Sequence, residues 1–278
     1  MFDYSILENK SEEEIVKFLS RGALNYSDIK KSFFLTGSGG SGLIKPNFTS
    51  ILSLYLSCIP EIIIVKTGSQ GVTSNYGSTD FFNDLDIAYG LKYKERLIEI
   101  GFLYIDVSEI APWKVTPYFD VSDELYNKLM RIFNKNSFCD VKCNMKITGI
   151  TPCKYADVRN IIIHNQSNQC HYLYTEGADF SIDECVIGRT FCDGIIVGDI
   201  SNEAKYSKNI NIKSINRMLL KGVNTDLFWS KSIRKAFGVY SVIMGLFSSY
   251  NEASDYFDKI KRDNLLNKKI NMLQKVKK

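Results

Sequence analysis

The chain has 278 residues, 45% hydrophobic and 24% charged, enough for one large domain or two modest ones and too apolar for a disordered chain. Its 35 basic and 31 acidic side chains leave a net charge of +4, too small to set a preference for nucleic acid or an acidic partner. No apolar run reaches the length of a membrane span, and Met1 to Lys10 is mixed and polar, so neither a membrane nor a signal peptide is expected.

In chain order, Ser11-Glu12-Glu13-Glu14 followed by Ile15, Val16, Phe18 and Leu19 predicts an N-capped amphipathic helix. Ser32 to Thr36 reads as a short buried strand. The run Gly37-Ser38-Gly39-Gly40-Ser41-Gly42 follows it. Asn47-Phe48-Thr49-Ser50 then has the residue types of a helix N-terminus, before the apolar stretch Ile51 to Ile59. Glu61 to Lys66 is a second strand, apolar enough to be buried on both faces. Thr67 to Ser78 is a polar loop, and Thr79-Asp80-Phe81-Phe82 opens another helix.

Further strands are expected at Phe102–Val107, Asn160–His164, Gln169–Thr175 and Gly194–Val197. Helices are expected at Lys92–Ile100, Ser122–Asn134, Ile212–Leu220 and Asp226–Ser249. The basic stretch Lys259–Lys278 carries Ile260, Leu265, Leu266, Ile270, Leu273 and Val276 on one side. It reads as a docked terminal helix, with a nucleic-acid contact as the rival reading. This alternation predicts an α/β fold, a mostly parallel central sheet flanked by helices, with a small helical portion at the N-terminus.

Three segments suit an anionic oxygen ligand. Glycines let backbone N–H groups approach closely, and a helix N-terminus carries partial positive charge. Lys66, at the carboxyl end of its strand, meets the glycine run at the sheet edge where open α/β folds bind ligands. The Thr67–Ser78 loop adds hydroxyls and backbone donors for a second phosphate.

Elsewhere the signals are weaker. The cysteines at 58, 139, 143, 153, 170, 185 and 192 are odd in number and lack a framework spacing, so reduced thiols in the cytoplasm are expected. Cys139, Cys143 and Cys153 fit no zinc pattern. His164 and His171 sit on strand-like segments and read as structural. Trp113 to Phe119 either stacks against an acceptor or packs in the core.

Together these segments resemble the anthranilate phosphoribosyltransferases and their nucleoside-phosphorylase relatives. That family's first motif, Gly-Thr-Gly-Gly-Asp-Gly and then Asn-x-Ser-Thr, is matched at equal spacing by Gly37 to Gly42 and Asn47 to Ser50. Its second, Lys-His-Gly-Asn-Arg and then Ser-Ser-x-x-Gly-Ser-Ala-Asp, is matched without a gap by Lys66-Thr67-Gly68-Ser69-Gln70 and Thr73-Ser74-Asn75-Tyr76-Gly77-Ser78-Thr79-Asp80. Its third, His-Gly and then Gly-Leu-Asp-Glu, corresponds to Glu176-Gly177 and Ser181-Ile182-Asp183-Glu184.

The resemblance implies a small helical domain beside a large α/β domain, with phosphoribosyl pyrophosphate and Mg2+ bound between them. Residues 1–31, joined by helices from about 119–135, would form the first, and 32–278 the second. Gly37, Ser38, Gly39, Gly40, Ser41, Asn47 and Ser50 would hold the diphosphate. Lys66, Gly68, Ser74 and Ser78 would line the phosphate side. Thr49, Asp183 and Glu184 would serve the metal, and Lys66, Asp183 and Glu184 would carry the catalytic burden. Metal and backbone donors around a departing diphosphate stabilise its charge, so a neutral amine can attack without a strong base.

The departures point to a changed acceptor. The family's His, Asn and Arg after the motif lysine are here Thr67, Ser69 and Gln70. Its His-Pro-Ala segment survives only as Ala111-Pro112-Trp113-Lys114, and no Arg stands between Arg96 and Arg131. An anthranilate carboxylate wants a guanidinium partner, so the expected acceptor is a different small molecule, an aromatic or heterocyclic amine. Ser41 also removes an acidic charge from the glycine run. One clear helix precedes that run, where the family builds its dimer interface from several, so a homodimer is left open. Two alternatives stand beside this reading. One is a nucleoside phosphorylase, although its Lys-x-Ser-Thr-Gly-Gly and Ser-Gly-Arg-Gly patterns are absent. The other is a catalytically idle member that binds nucleic acid.

Overall fold

The computed structural model describes residues 2–19, 24–29, 31–37, 45–71, 76–114, 121–135, 141–149, 170–176, 181–182, 188–200, 211–222 and 228–278. A 3-10 turn at Tyr4–Leu7 leads into α1 (Glu12–Leu19) and β1 (Leu24–Asn25). Then come β2 (Ser32–Thr36), α2 (Phe48–Leu56), β3 (Ile63–Gly68), α3 (Ser78–Asp84), α4 (Lys94–Ile100) and β4 (Phe102–Asp106). The middle of the chain holds α5 (Val107–Ile110), α6 (Asp123–Lys135), β5 (Val141–Lys142), β6 (Met145–Gly149), β7 (Cys170–Glu176) and β8 (Ser181–Ile182). β9 (Gly188–Cys192), β10 (Ile195–Ile200), α7 (Ile212–Lys221), α8 (Phe228–Ile243), α9 (Tyr250–Arg262) and α10 (Leu265–Val276) complete it.

The main sheet runs in the order β10-β9-β7-β6-β2-β3-β4, with β8 also on β7. The five strands β7-β6-β2-β3-β4 are parallel, and β8, β9 and β10 add antiparallel pairs at one side. This is the α/β class expected from the sequence. β2, β3 and β4 read as largely apolar runs because both of their faces are covered. Phe33, Phe34, Leu35, Ile64, Val65, Ile147 and Phe102 through Ile105 are all buried. β1 and β5 form a separate two-stranded parallel pair.

α2 is buried along all nine of its residues, as expected for a helix that is apolar all round. It touches β2, β3 and α8. Phe48 meets Trp229 at 6.0 Å between ring centroids, and Tyr55 meets Phe257 of α9 at 4.7 Å. At the N-terminal side, α6 packs against α1. Lys128 Nζ also reaches the carbonyl of Lys10 at 3.1 Å.

Several boundaries differ from expectation. β3 begins two residues late and runs on to Gly68, because Thr67 and Gly68 continue the ladder opposite Ile105 and Asp106. The helix expected to reach Ser249 stops at Ile243, where Gly245 turns the chain at φ +65 and Ser249 caps the next helix. The C-terminal stretch is two helices rather than one, broken at Asn264 (φ 55). Its apolar side is docked as expected, with Ile260, Leu266, Ile270, Leu273 and Val276 buried. β6 and β9 were not anticipated, and the expected strand Asn160–His164 lies outside the described residues. Among the described residues no helix is long and apolar enough to cross a membrane.

Candidate functional site

From β2 the chain steps outward to β3 and β4, then returns to the other side of β2 for β6 and β7. The reversal creates a crevice outside the carboxyl ends of β2 and β6, where doubly wound sheets bind ligands. The glycine run leaves β2 at this point, beginning with Gly37. Ser38, Gly39, Gly40 and Ser41 lie outside the described residues.

α2 starts beside this edge, with Asn47 at its N-cap position. The Asn47 side chain does not cap the helix, against the sequence expectation. It is held by Asn216 of α7, 169 residues away: Asn216 Nδ2 donates to Asn47 Oδ1 at 2.7 Å, and Asn47 N–H donates to Asn216 Oδ1 at 2.9 Å. Asn216 is itself buried. Thr49 and Ser50, in the first turn, are buried as well. The first turn of any helix carries N–H groups with no intrahelical acceptor, so this end is the anion-seeking one.

The second motif reaches the same place. Ser50 Oγ donates to Ser78 Oγ at 3.0 Å, joining the first turns of α2 and α3. Gly68 makes that approach possible, since a Cβ there would lie 2.7 Å from Ser78 Cβ and 3.3 Å from the Tyr104 hydroxyl. The loop between β3 and α3 is pinned by Asp80, whose Oδ2 accepts from Gly77 N–H at 2.8 Å and Gly71 N–H at 3.0 Å. Behind it, Thr79 Oγ1 pairs with Tyr104 OH at 2.7 Å and donates to Asp106. Burial pushes the Tyr104 phenol well above its ordinary range despite the opposing Thr79 bond, so it stays protonated.

Lys66 sits two residues before the carboxyl end of β3, not at it, because the ladder runs on to Gly68. It is buried, and its ammonium donates to the Thr67 carbonyl at 2.6 Å. Ser74 lies outside the described residues. So do Asp183 and Glu184, although Ile182, the residue before them, pairs with Thr175 near the carboxyl end of β7.

α7 was legible only as a helix, yet it supplies two residues to this edge. Lys213 and Asn216, three apart and so on one helical face, reach α3 and α2. Lys213 Nζ lies 2.8 Å from Asp84 Oδ2, which also accepts from Tyr76 OH at 2.8 Å. The Lys213 bond, then the Tyr76 bond, hold the Asp84 carboxyl below its usual range. Burial first, then Asp84, push the Tyr76 phenol up. A polar face on an otherwise amphipathic helix was the available signal.

In the acceptor region, Trp113 is buried and its carbonyl accepts from Tyr4 OH, which favours the core reading for that ring. Residues 115–119 lie outside the described residues, as do Cys139, Cys153 and His164. His171 bonds Asp193 at 2.8 Å.

No family model and no curated protein sequence matches the chain. Solved structures do. The anthranilate phosphoribosyltransferase of Saccharomyces cerevisiae in complex with PRPP and Mg aligns over 95% of this chain and 79% of its own, at 15% identity and a TM-score of 0.66. The enzyme from Thermus thermophilus aligns over 97% and 87%, at 16% identity and a TM-score of 0.64. The yeast enzyme in complex with 4-fluoroanthranilate aligns over 98% and 81%, at 12% identity and a TM-score of 0.60. At these identities the likeness speaks for architecture, and the chain has the fold of the anthranilate phosphoribosyltransferases.

Proposed function

We propose that the chain is a divergent, Mg2+-dependent phosphoribosyltransferase. It takes phosphoribosyl pyrophosphate as donor and an aromatic or heterocyclic amine other than anthranilate as acceptor, and it releases pyrophosphate. The observation that carries this reading is the meeting of two motifs through the hydrogen bond between Ser50 and Ser78, 28 residues apart, beside the switch point of the sheet. On this reading residues 1–31 with α6 are the helical portion and residues 32–278 hold the donor.

The residues suit the group. Thr49, Ser50 and Ser78 offer hard oxygen donors, the class Mg2+ and its phosphate-bound waters prefer, and Asp183 and Glu184 would supply the carboxylates. When bound, the metal neutralises charge building on the departing diphosphate. The glycine run and the first turn of α2 hold the diphosphate through backbone N–H groups and the helix dipole. Lys66 adds fixed positive charge behind the loop, and Ser78 receives a phosphate oxygen. The acceptor nitrogen attacks the anomeric carbon as the C–O bond to pyrophosphate breaks. The electron pair leaves with pyrophosphate, and the amine proton passes to solvent. Dry, preorganised donors aimed at that developing charge are worth more than the same contacts in water.

Calorimetry with phosphoribosyl pyrophosphate and Mg2+ tests the reading. Binding of one donor per chain is expected, abolished by omitting the metal or by the double change Asp183→Asn and Glu184→Gln. No heat of binding to the folded wild-type protein sinks it.

A further inference from the structure

At the amino-terminal end of β7, the geometry points to a second metal site, built for a zinc-class cation from His171, Cys192 and Asp193. One ligand atom from each lies within 4.8 Å of the other two. His171 is the second residue of β7, level with Ile147 of β6 and Leu35 of β2, whereas the strand's carboxyl end is where Thr175 pairs with Ile182, the residue before Asp183 and Glu184. β7 also lies two strands from β2, roughly 10 Å across the sheet, and none of the three residues is among those assigned to the donor. A metal here is therefore separate from the one proposed at the donor.

The cluster is assembled by strand register rather than by sequence spacing. Leu173 pairs with Cys192 across the antiparallel β7–β9 ladder, which brings residue 192 beside the start of β7. The chain then reverses through Asp193 (φ 51) and Gly194 (φ 85), with Ile195 opposite Cys192. Two successive positive φ values make this a two-residue hairpin turn of the primed kind, a rigid support. The Asp193 carboxylate is further fixed to β7. Its Oδ1 accepts the Tyr172 N–H at 2.8 Å, while Asp193 N–H donates to the Tyr172 carbonyl at 3.0 Å. That leaves Oδ2 aimed at the imidazole, 2.8 Å from His171 Nδ1, with Cys192 Sγ 3.7 Å away.

The donor set selects the ion. A thiolate, an imidazole and one carboxylate oxygen suit tetrahedral Zn2+ and suit Mg2+ poorly, since Mg2+ demands octahedral oxygen. Zinc bonds of about 2.0–2.3 Å put tetrahedral ligand atoms roughly 3.3–3.8 Å apart, so the three groups need only small shifts. The His171 and Asp193 side chains are 24% and 30% exposed, which leaves a path for the ion and a fourth position for water. Binding sends the Cys192 thiol proton to solvent and moves the imidazole proton from Nδ1 to Nε2. The carboxylate bond to the Tyr172 amide is the kind of outer contact that orients metal ligands. The consequence is a clamp holding the β9–β10 hairpin to β7.

The test uses the full chain, stripped of metal and titrated with Co2+ and then Zn2+. One equivalent of Co2+ is expected to give a thiolate-to-cobalt charge-transfer band that Zn2+ removes, and Zn2+ should raise the melting temperature. Cys192→Ser should abolish the band. His171→Gln should weaken binding by more than the roughly 10–100-fold that outer-contact changes cost. Asp183→Asn, which disables the proposed donor metal, should leave the band intact. Absence of a thiolate band in wild type overturns the proposal, as does a band that survives in folded Cys192→Ser or disappears in Asp183→Asn. Should Cys192→Ser fail to fold, the wild-type spectrum and the His171→Gln titration decide alone.

Discussion

Two helix starts in this chain use similar residue types to opposite ends. α1 closes its own N-terminus: Ser11 Oγ accepts from Glu14 N–H at 3.2 Å, and Glu14 Oε2 accepts from Ser11 N–H at 2.8 Å. This reciprocal box satisfies two of the orphan donors within four residues. α2 begins with Asn47, an equally good capping residue, yet that side chain turns away to a distant helix. A structural helix consumes its dipole locally, whereas the first turn of α2 takes no cap from the Asn47 side chain. The difference lies in tertiary partners, because the residue types alone predict a cap at both places.

The sharpest way to break this contrast is one carboxylate at each start. Ser11→Asp keeps a good cap and should change neither stability nor donor binding appreciably. Asn47→Asp keeps both hydrogen bonds to Asn216, since each uses an Asn47 atom that aspartate also has. It nevertheless sets a negative charge beside the proposed diphosphate. At an effective dielectric near 20 and about 5–8 Å, that repulsion is roughly 2–3 kcal/mol, about a 30- to 150-fold loss of donor affinity. Calorimetry beside a thermal melt measures both quantities. Equal donor affinity in wild type and Asn47→Asp would show that α2 is an ordinary helix end.

A second change asks whether the close meeting of α2 and α3 matters. Gly68→Ala drives a methyl against Ser78, a short side chain already hydrogen-bonded to Ser50. Overpacking of this kind costs about 1–2 kcal/mol, and the displaced Ser78 should weaken donor binding as well. Denaturant melts give the first number and calorimetry the second. An unchanged Ser50–Ser78 geometry and affinity in the variant would remove Gly68 from the site.

How far the sequence could be read follows the range of each interaction. The apolar strands β2 to β4 and the capping box of α1 are local signals, and the structure carries them where expected. The Asn47–Asn216 pair spans 169 residues, so nothing near Asn47 announces that its side chain is occupied. His171 and Cys192 became neighbours only through the β7–β9 register, which a search for ligand spacing cannot see. Even the end of β3 was set by its partner strand rather than by its own composition. Lys66 looked like a strand terminus because a polar residue followed an apolar run, and Thr67 then joined the ladder, buried.

The smallest effect concerns how α7 is held, for it grips α2 through the buried asparagine pair and α3 through the exposed Lys213–Asp84 pair at 2.8 Å. These grips should differ greatly in weight. The Lys213 and Asp84 side chains are 55% and 41% exposed, so water and salt screen their attraction, and such pairs contribute between zero and about 1 kcal/mol. The sign is set by the depressed Asp84 carboxyl, whose ionised form is favoured in the folded state. Its contribution is present above the ordinary carboxylate range and is lost as pH falls through the lowered folded value. Asp84→Asn should therefore melt slightly below wild type at pH 7, with the gap closing below about pH 4 and in 1 M salt. Donor affinity should hold, because the buried Asn216 amide, rather than the surface charge, keeps α7 against the start of α2. A variant that loses donor affinity at pH 7 while remaining folded would reverse that ranking and make the exposed pair part of the donor site.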